Sequence, residues 1–327
     1  MPKKRILSGM RATGKLHLGN YVGALENWIK LQDEYESYHL IADYHNLTTN
    51  VDTSSIYQNT IEMVIDWLAA GLDPVKSPFF RQSKIKEHAE LHLLFSMLIT
   101  SARLERNPTL KDQLRELNIE NITYGHLGYP VLQAADILLY KGEAVPVGED
   151  QVPHVEITRE VARKFNLQYG VVFPEPEPLL TKFARLPGLD GQSKMSKSLD
   201  NTILLSDDRE IVKAKLRKAV TDPLKIRKGD PGRPEICLVF TYHQKFNQPD
   251  EIKEIETNCR SGALGCVECK LKCTEQINQK LAPIIEKRKY YEENMNSVKE
   301  ILIDGETRAR KVAQITMNEV HDKMNLG

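Results

Sequence analysis

Hydrophobic and polar positions follow two different periods along the first hundred residues. Short apolar runs at 5–8, 39–43 and 78–82 predict buried strands, each bounded by a turn or a polar residue. Apolar residues at spacings of three and four predict amphipathic helices over 16–35, 54–71 and 86–99. Strands that alternate with helices are typical of a parallel sheet with helical crossovers. We therefore expect an α/β fold with a doubly wound, Rossmann-like sheet.

The pattern changes after about residue 205. Strand signals fade, and helical spacing dominates over 207–219, 249–258, 266–290 and 295–325. This change predicts two domains, a doubly wound domain at 1–203 and an α-helical domain at 204–327.

Charge and hydropathy narrow the class of protein. Lys and Arg total 45, as do Asp and Glu, so a uniformly basic nucleic-acid binder is excluded. Basic residues are nonetheless concentrated within 213–233, which is typical of a solvated helix face or of a polyanion contact. No apolar run reaches transmembrane length, and no signal-peptide pattern follows the basic start. We expect a cytoplasmic protein without a membrane partner, whose five cysteines are not structural disulfides.

Two short motifs carry chemistry. His17-Leu-Gly19-Asn20 follows the first strand, where Gly19 would let a flat ring approach and a helix N-terminus would favour phosphate. His17 and Asn20 supply hydrogen-bond donors. Lys194 and Lys197, in the sequence Lys-Met-Ser-Lys-Ser, could neutralise charge on a departing pyrophosphate. The alternatives are an ordinary helix cap and a solvated lysine loop.

Together the two motifs resemble the HIGH and KMSKS signatures of class I aminoacyl-tRNA synthetases. Three further segments resemble tryptophanyl-tRNA synthetases: 129–140 (YPVLQAADILLY), 147–151 (VGEDQ) and 218–222 (KAVTD). The resemblance implies ATP-dependent activation of L-tryptophan to tryptophanyl-adenylate and transfer to the 3′ end of tRNA(Trp), releasing pyrophosphate and AMP. It also implies Mg²⁺, a homodimer, ATP and tryptophan binding in 1–203, and anticodon binding in 204–327.

The resemblance further implies a role for individual residues. Asp136 would accept the indole N–H, which is physically reasonable because a carboxylate inside an apolar run needs a donor. Tyr129 and Gln151 would hold the α-ammonium group. The other expected substrate contacts are Leu7, His45 and Gln133. The expected ATP contacts are Arg11, Ala12, Thr13, Gly19, Asn20, Gly148, Glu149, Asp150, Leu186, Lys194, Met195, Ser196, Lys197 and Ser198. The expected catalytic residues are His17, Asn20, Lys111, Lys194 and Lys197.

The sequence departs from the family pattern at four positions. His17 stands where many tryptophanyl enzymes carry Thr, and Arg11 where others carry Gln. Leu7 and Gln133 stand where others carry Phe and Met. These departures affect the walls of the expected pocket and leave Asp136 in place.

All five cysteines lie within 237–273. Cys266, Cys269 and Cys273 share one helix face, and four thiolates suit zinc or a 4Fe–4S cluster. The pattern resembles the bacterial tryptophanyl enzymes that carry a 4Fe–4S cluster, which implies Cys237, Cys259, Cys266 and Cys269 as ligands. A set with Cys273 in place of Cys237 stays open, as do zinc and ordinary buried thiols.

Two other functions remain open from the sequence. A tyrosyl-tRNA synthetase shares the architecture and both signatures, although the sequence around Asp136 favours tryptophan. A non-catalytic protein with a metal cluster could bind RNA through 213–233, but it would not need the two ATP signatures.

Overall fold

The computed structural model describes residues 3–116, 119–180, 186–191 and 194–326. The chain divides into two compact units. The first comprises Met1–Gly14, Glu26–Lys182 and Asn294–Gly327, and the second comprises Lys15–Leu25 and Phe183–Glu293. No helix within the described ranges is both long and apolar enough to cross a bilayer.

The first unit is built on a five-stranded sheet. The strands are β1 (Arg5–Met10), β2 (Glu36–Ile41), β3 (Phe79–Arg81), β4 (Ala144–Val147) and β5 (Glu177–Leu180). Their order is β3-β2-β1-β4-β5, and each neighbouring pair is parallel. The prediction of an α/β, doubly wound fold is confirmed.

The helices are labelled in chain order as follows: α1 (Leu18–Asn20), α2 (Glu26–Leu31), α3 (Asp43–Leu47), α4 (Ile56–Ala70), α5 (Glu87–Ser96), α6 (Ser101–Glu105), α7 (Pro108–Glu116), α8 (Tyr124–Leu139), α9 (Val152–Tyr169), α10 (Arg209–Lys218), α11 (Leu238–Phe246), α12 (Pro249–Arg260), α13 (Cys266–Glu293) and α14 (Met295–Met324). A π-helical turn covers Tyr21–Leu25, and short 3₁₀ turns cover Gln82–Lys84, Glu149–Gln151, Lys197–Leu199 and Pro234–Ile236.

Helices cover the sheet of the first unit and enclose its core. Phe80, Phe95 and Phe165 are fully buried there, together with apolar residues of α8, α9 and α14. The strands of a parallel sheet are buried on both faces, which explains why the first strands read as continuous apolar runs. Helix α14 packs directly on β3: Arg81 donates to Glu306 through Nε (2.5 Å) and Nη2 (3.2 Å).

Among the elements predicted in the first hundred residues, two have limits that tertiary contacts explain. The strand predicted at 39–43 runs from Glu36 to Ile41, because Asp43 begins α3 and accepts hydrogen bonds from the backbone of Tyr44 and Ser83. The helix predicted over 16–35 starts only at Leu18, because the backbone flanking His17 pairs with residues 203–205.

The helices predicted at 207–219, 249–258, 266–290 and 295–325 correspond to α10, α12, α13 and α14. Helix α14 belongs to the first compact unit, because Ala309, Ala313 and Val320 are buried in that unit's core. The boundary between functional domains at 203/204 stays a prediction. The two compact units divide the chain at other positions.

Candidate active site

The first unit contains a buried carboxylate with three side-chain donors. Asp136 lies on α8 and is only 2% exposed. Its Oδ2 lies 2.9 Å from His45 Nε2, and its Oδ1 lies 2.7 Å from both His88 Nδ1 and Gln82 Nε2. Burial acts to raise the pKa of Asp136, but the hydrogen bonds from His45 and His88 outweigh it and bring the pKa to about 2. Asp136 is therefore a charged acceptor at neutral pH.

The sheet topology assembles this group. His45 is on α3, just after β2, and Gln82 follows β3 directly. In parallel sheets the carboxyl ends of neighbouring strands meet at one edge, where ligands bind. His88 comes from α5. The sequence indicated Asp136 and His45 but missed Gln82 and His88. The signal available for Gln82 was its polar side chain two residues after the apolar run at 78–80.

Tyr129, on the same helix, has its own oriented partner. Its Oη lies 2.8 Å from His154 Nε2, and His154 Nδ1 lies 3.2 Å from Asn107 Nδ2. Asn107 Oδ1 accepts the backbone N–H of Thr109, so the amide nitrogen faces His154 and donates to Nδ1. Burial lowers the pKa of His154 to about 4, so the ring is neutral and donates from Nε2 to Tyr129. A lone pair of Tyr129 remains for an ammonium group. The sequence indicated neither His154 nor Asn107.

The turn after β1 is fixed from α3. Arg11 Nη1 lies 3.3 Å from Thr49 Oγ1, and the Ala12 carbonyl accepts from Asn46 Nδ2 at 2.8 Å. The backbone N–H of Thr13 donates to the Arg11 carbonyl. Leu7, in β1, is buried in the core, and Gln133, on α8, is half-buried.

The loop after β4 is held from α7. The Thr109 hydroxyl donates to the Asp150 carbonyl at 2.8 Å, and Gln151 Nε2 donates to Asp150 Oδ2 at 3.3 Å. A Cβ at Gly148 would lie 2.8 Å from Asp150 Oδ1, so a larger residue there would displace the Asp150 side chain. Glu149 and Asp150 are exposed, as is Lys111 on α7.

The second unit contains both signature motifs. His17 caps α1: its Nδ1 accepts the Asn20 backbone N–H at 3.3 Å, and Asn20 Oδ1 accepts the His17 backbone N–H at 3.1 Å. Burial first, and the Lys197 charge second, lower the pKa of His17 to about 4. The neutral ring therefore carries its hydrogen on Nε2. A Cβ at Gly19 would lie 2.9 Å from His17 Nδ1, so Gly19 is required for this cap.

The Lys-Met-Ser-Lys-Ser loop is organised by a residue that sequence reasoning missed. Asn201 Oδ1 accepts the Ser196 backbone N–H at 2.7 Å, and its Nδ2 donates to Asp190 and to the Lys194 carbonyl. Lys197 Nζ donates to the Lys15 carbonyl at 3.0 Å, so the loop contacts the segment that leads into His17. Within the loop, Met195 is buried, whereas Lys194, Lys197 and Ser198 are exposed, and Leu186 is also buried.

The five cysteines are free thiols in the second unit, as expected. Burial, followed by the charges of Cys237, Cys259 and Cys266, raises the pKa of Cys269 to about 12. Across the described ranges, which include all five cysteines, no group of three or more His, Cys, Asp or Glu side chains could hold a metal ion. The donor chemistry suits a metal centre, but the geometry does not support the prediction of one.

Comparison with known proteins gives the family. The family model for class I tRNA synthetases (W and Y) matches residues 2–282. Tryptophan–tRNA ligase of Thermotoga maritima is 50% identical over 98% of this chain and 99% of its own length. That of Aquifex aeolicus is 45% identical over 98% and 100%. A crystal structure of tryptophanyl-tRNA synthetase from Campylobacter jejuni, complexed with ADP and tryptophan, superposes with a TM-score of 0.87 at 35% identity over 98% of this chain and 100% of its own.

The chain belongs to the tryptophanyl branch of the class I aminoacyl-tRNA synthetases. The resemblance inferred from the two signatures is confirmed over nearly the whole chain. Membership of the tryptophanyl-tRNA synthetases does not assign a role to each residue, so the roles expected for individual side chains stay predictions.

Proposed function

We propose that this protein is a tryptophan–tRNA ligase. The carboxylate of L-tryptophan attacks the α-phosphorus of ATP, which forms tryptophanyl-adenylate and releases pyrophosphate. A hydroxyl of the tRNA(Trp) 3′-terminal ribose then attacks the acyl carbon and displaces AMP. Neither step needs a covalent enzyme intermediate, so positioning and electrostatic stabilisation carry the catalysis.

The observation that carries this proposal is the ionised, buried Asp136. Indole offers one polar group, a donor, and the three side-chain donors leave about one of the four acceptor positions of a carboxylate unused. Phenylalanine would leave that acceptor unpaired in a buried site, which is a strong basis for discrimination. The names of the relatives favour tryptophan over tyrosine. The roles proposed for Tyr129 and Gln151 are to hold the α-ammonium group, while Leu7, His45 and Gln133 contribute the remaining contacts to tryptophan.

The nucleotide chemistry is proposed for the signature residues. His17 can donate from Nε2 and Asn20 from its side-chain amide to an oxygen of the α-phosphate. Lys194 and Lys197, on an exposed loop, would neutralise the departing pyrophosphate, with Mg²⁺ and Lys111 sharing that charge. The other proposed ATP contacts are Arg11, Ala12, Thr13, Gly19, Gly148, Glu149, Asp150, Leu186, Met195, Ser196 and Ser198.

Amino-acid-dependent exchange of pyrophosphate into ATP tests the first step. Exchange with tryptophan should exceed exchange with tyrosine or phenylalanine by a factor of about 10³ or more in kcat/KM. A tyrosine preference would contradict the proposal. Charging of tRNA(Trp), but not tRNA(Tyr), tests the second step, and an absence of ATP binding would instead favour a non-catalytic RNA-binding protein.

The proposal also covers the oligomeric state of the protein, its location in the cell and its binding of tRNA. We propose a homodimer that acts in the cytoplasm, with tRNA anticodon binding in 204–327. The basic residues within 213–233 support a polyanion contact there. Sedimentation of the purified protein with and without tRNA(Trp) measures both the dimer and the complex.

The cysteines are proposed separately as a metal site of Cys237, Cys259, Cys266 and Cys269. The support for this site is the clustering of the cysteines in the sequence and their resemblance to the pattern of bacterial tryptophanyl enzymes with a 4Fe–4S cluster. Zinc is the alternative metal. Anaerobically purified protein should show broad absorption near ~400 nm if iron–sulfur is bound. Colourless protein with one zinc per chain would support zinc, and protein without either metal would refute the site.

A further inference from the structure

A hydrogen-bonded chain leads from the core of the first unit to Asp136. His88 Nδ1 lies 2.7 Å from Asp136 Oδ1, and His88 Nε2 lies 2.9 Å from the Tyr140 hydroxyl. His88 and Tyr140 are both fully buried. The sequence analysis gave neither residue a role, although Tyr140 is the last residue of the segment 129–140. The chain uses both nitrogens of the His88 ring, so the orientation of the ring is set by its two neighbours.

The direction of each hydrogen bond follows from the ionisation of the two ends. Asp136 is a carboxylate, because its pKa lies near 2, so His88 must donate from Nδ1. Burial raises the pKa of Tyr140 well above its ordinary value, so the phenol keeps its hydrogen. The Tyr140 O–H then donates to His88 Nε2. With its hydrogen on Nδ1, the His88 ring accepts at Nε2, so hydrogen bonds at both nitrogens hold the ring between Asp136 and Tyr140.

The hydrogen bond from His88 has a direct effect on Asp136. It occupies Oδ1, together with the hydrogen bond from Gln82, and leaves Oδ2 to His45 and one further donor. A hydrogen bond to a charged acceptor is stronger than one to a neutral acceptor.

We propose that Tyr140 and His88 are positioning residues that hold Asp136 as a charged acceptor with Oδ2 directed to the indole N–H of tryptophan. They thereby set the selectivity for that N–H. This inference rests on the role proposed above for Asp136. Neither residue would touch the substrate; both act through Asp136.

Removal of one oxygen tests the inference, because packing fixes the Tyr140 ring independently. The ring stacks on Tyr38 at 5.0 Å and packs in a tilted arrangement against Phe80 at 4.9 Å between centroids, so Tyr140→Phe should keep the ring in place. Tyr38→Phe is the matched control. It removes a hydroxyl from the adjacent stacked ring, but that hydroxyl donates to Glu36 at 2.8 Å and has no link to Asp136.

Two substrates distinguish the contribution of the indole N–H from that of the rest of the tryptophan side chain. Pyrophosphate exchange is measured with tryptophan and with 3-(3-benzothienyl)alanine, in which sulfur replaces the indole N–H. Tyr140→Phe should lower the ratio of kcat/KM for tryptophan over this analogue by about 3- to 10-fold, mainly through the KM of tryptophan. Tyr38→Phe should leave the ratio unchanged. An unchanged ratio in Tyr140→Phe, or an equal fall for both substrates, would overturn the inference.

Two further variants complete the design. If Tyr140→Phe does not fold, His88→Asn keeps a donor near the position of Nδ1 and breaks the link to Tyr140, and it should lower the ratio to the same extent. An unchanged ratio in His88→Asn also overturns the inference. Asp136→Asn distinguishes this inference from the proposed function. If Asp136→Asn leaves the ratio intact, the role of Asp136 itself is wrong; if only Asp136→Asn lowers it, the positioning role alone is wrong.

Discussion

Replacement of Asp136 by Asn tests the proposed tryptophan pocket most directly, since it changes one oxygen to an amino group at nearly constant volume. Oδ1 receives two donors, from Gln82 and His88, so the remaining carbonyl oxygen of the Asn would face them. The new NH₂ group would take the place of Oδ2, which lies 2.9 Å from His45 Nε2. His45 can move its ring hydrogen and accept. Indole cannot adapt, because its nitrogen only donates.

The magnitude follows from that conflict. A hydrogen bond to a charged acceptor is worth about 1.5–3 kcal/mol, and a buried donor left without a partner costs about 1–3 kcal/mol. The two effects together predict a loss of about 3–5 kcal/mol of transition-state stabilisation, or roughly 10²- to 10⁴-fold in kcat/KM for tryptophan. The KM for ATP should not change, because no nucleotide contact is altered.

Pyrophosphate exchange at varied tryptophan concentration measures this loss. Asp33→Asn is a control for the substitution itself, since Asp33 is exposed and pairs with Lys76 on the surface. Thermal unfolding shows whether Asp136→Asn remains folded. A folded variant that loses less than about tenfold would refute the reasoning, since even the lower bound of the estimate exceeds that value.

Three other predictions concern stability and the nucleotide chemistry. Burial lowers the pKa of His39 to about 3, so the unfolded state binds the proton first and the free energy of unfolding falls as pH drops from about 6.5 towards 3. Between pH 7 and pH 5, His39→Phe should lose about 2 kcal/mol less of this free energy than the parent protein, measured by urea unfolding. Parallel pH profiles for the two proteins would contradict this. A Cβ at Gly305, on α14, would lie 2.0 Å from the Phe79 carbonyl oxygen, so Gly305→Ala should lower the free energy of unfolding by more than about 2 kcal/mol. Gly125→Ala, where nothing lies within 4 Å of the added Cβ, should not destabilise, and equal effects of the two substitutions would be evidence against the close approach. Lys197→Ala should lower kcat for exchange by about 10- to 100-fold with the KM for tryptophan unchanged; a rise in that KM alone would argue against a role at the departing pyrophosphate.

The sequence predicted three strands of the five-stranded sheet. β1, β2 and β3 follow apolar runs, and their alternation with helices was enough to predict the fold class. β4 and β5 are four residues each and both contain a proline, which argues against a strand when only the sequence is read. The start of the helix after His17 also depends on contacts that are distant in sequence. The Leu18 backbone N–H donates to the Ile203 carbonyl, and the Leu205 backbone N–H donates to the Leu16 carbonyl.

The candidate active site, like the fold, was predictable only in part from the sequence. The sequence indicated that Asp136 needs a partner, because a carboxylate in an apolar run cannot be left unpaired. It could not indicate Gln82 or His88, because the sheet order and the packing of α5 on α8 bring those residues to Asp136. The need of a buried carboxylate for a donor can be read from the residues around it in the sequence. Which residue supplies that donor depends on how the strands and helices are arranged in the fold.

Two asparagines show why the supporting residues were missed. Asn107 accepts a helix N–H with its oxygen and donates to His154 with its nitrogen. Asn201 accepts from Ser196 and donates to Asp190 in the same manner. An amide combines an acceptor and two donors on one short side chain, so a single Asn can accept from one segment and donate to another, which neither a carboxylate nor an ammonium group can do. In sequence such residues read as turn or cap residues, and only the three-dimensional contacts separate the two functions. Supporting residues of this kind are therefore the least visible in the sequence, and substitutions at Asn107 and Asn201 are predicted to slow pyrophosphate exchange without removing a group proposed to touch the substrates.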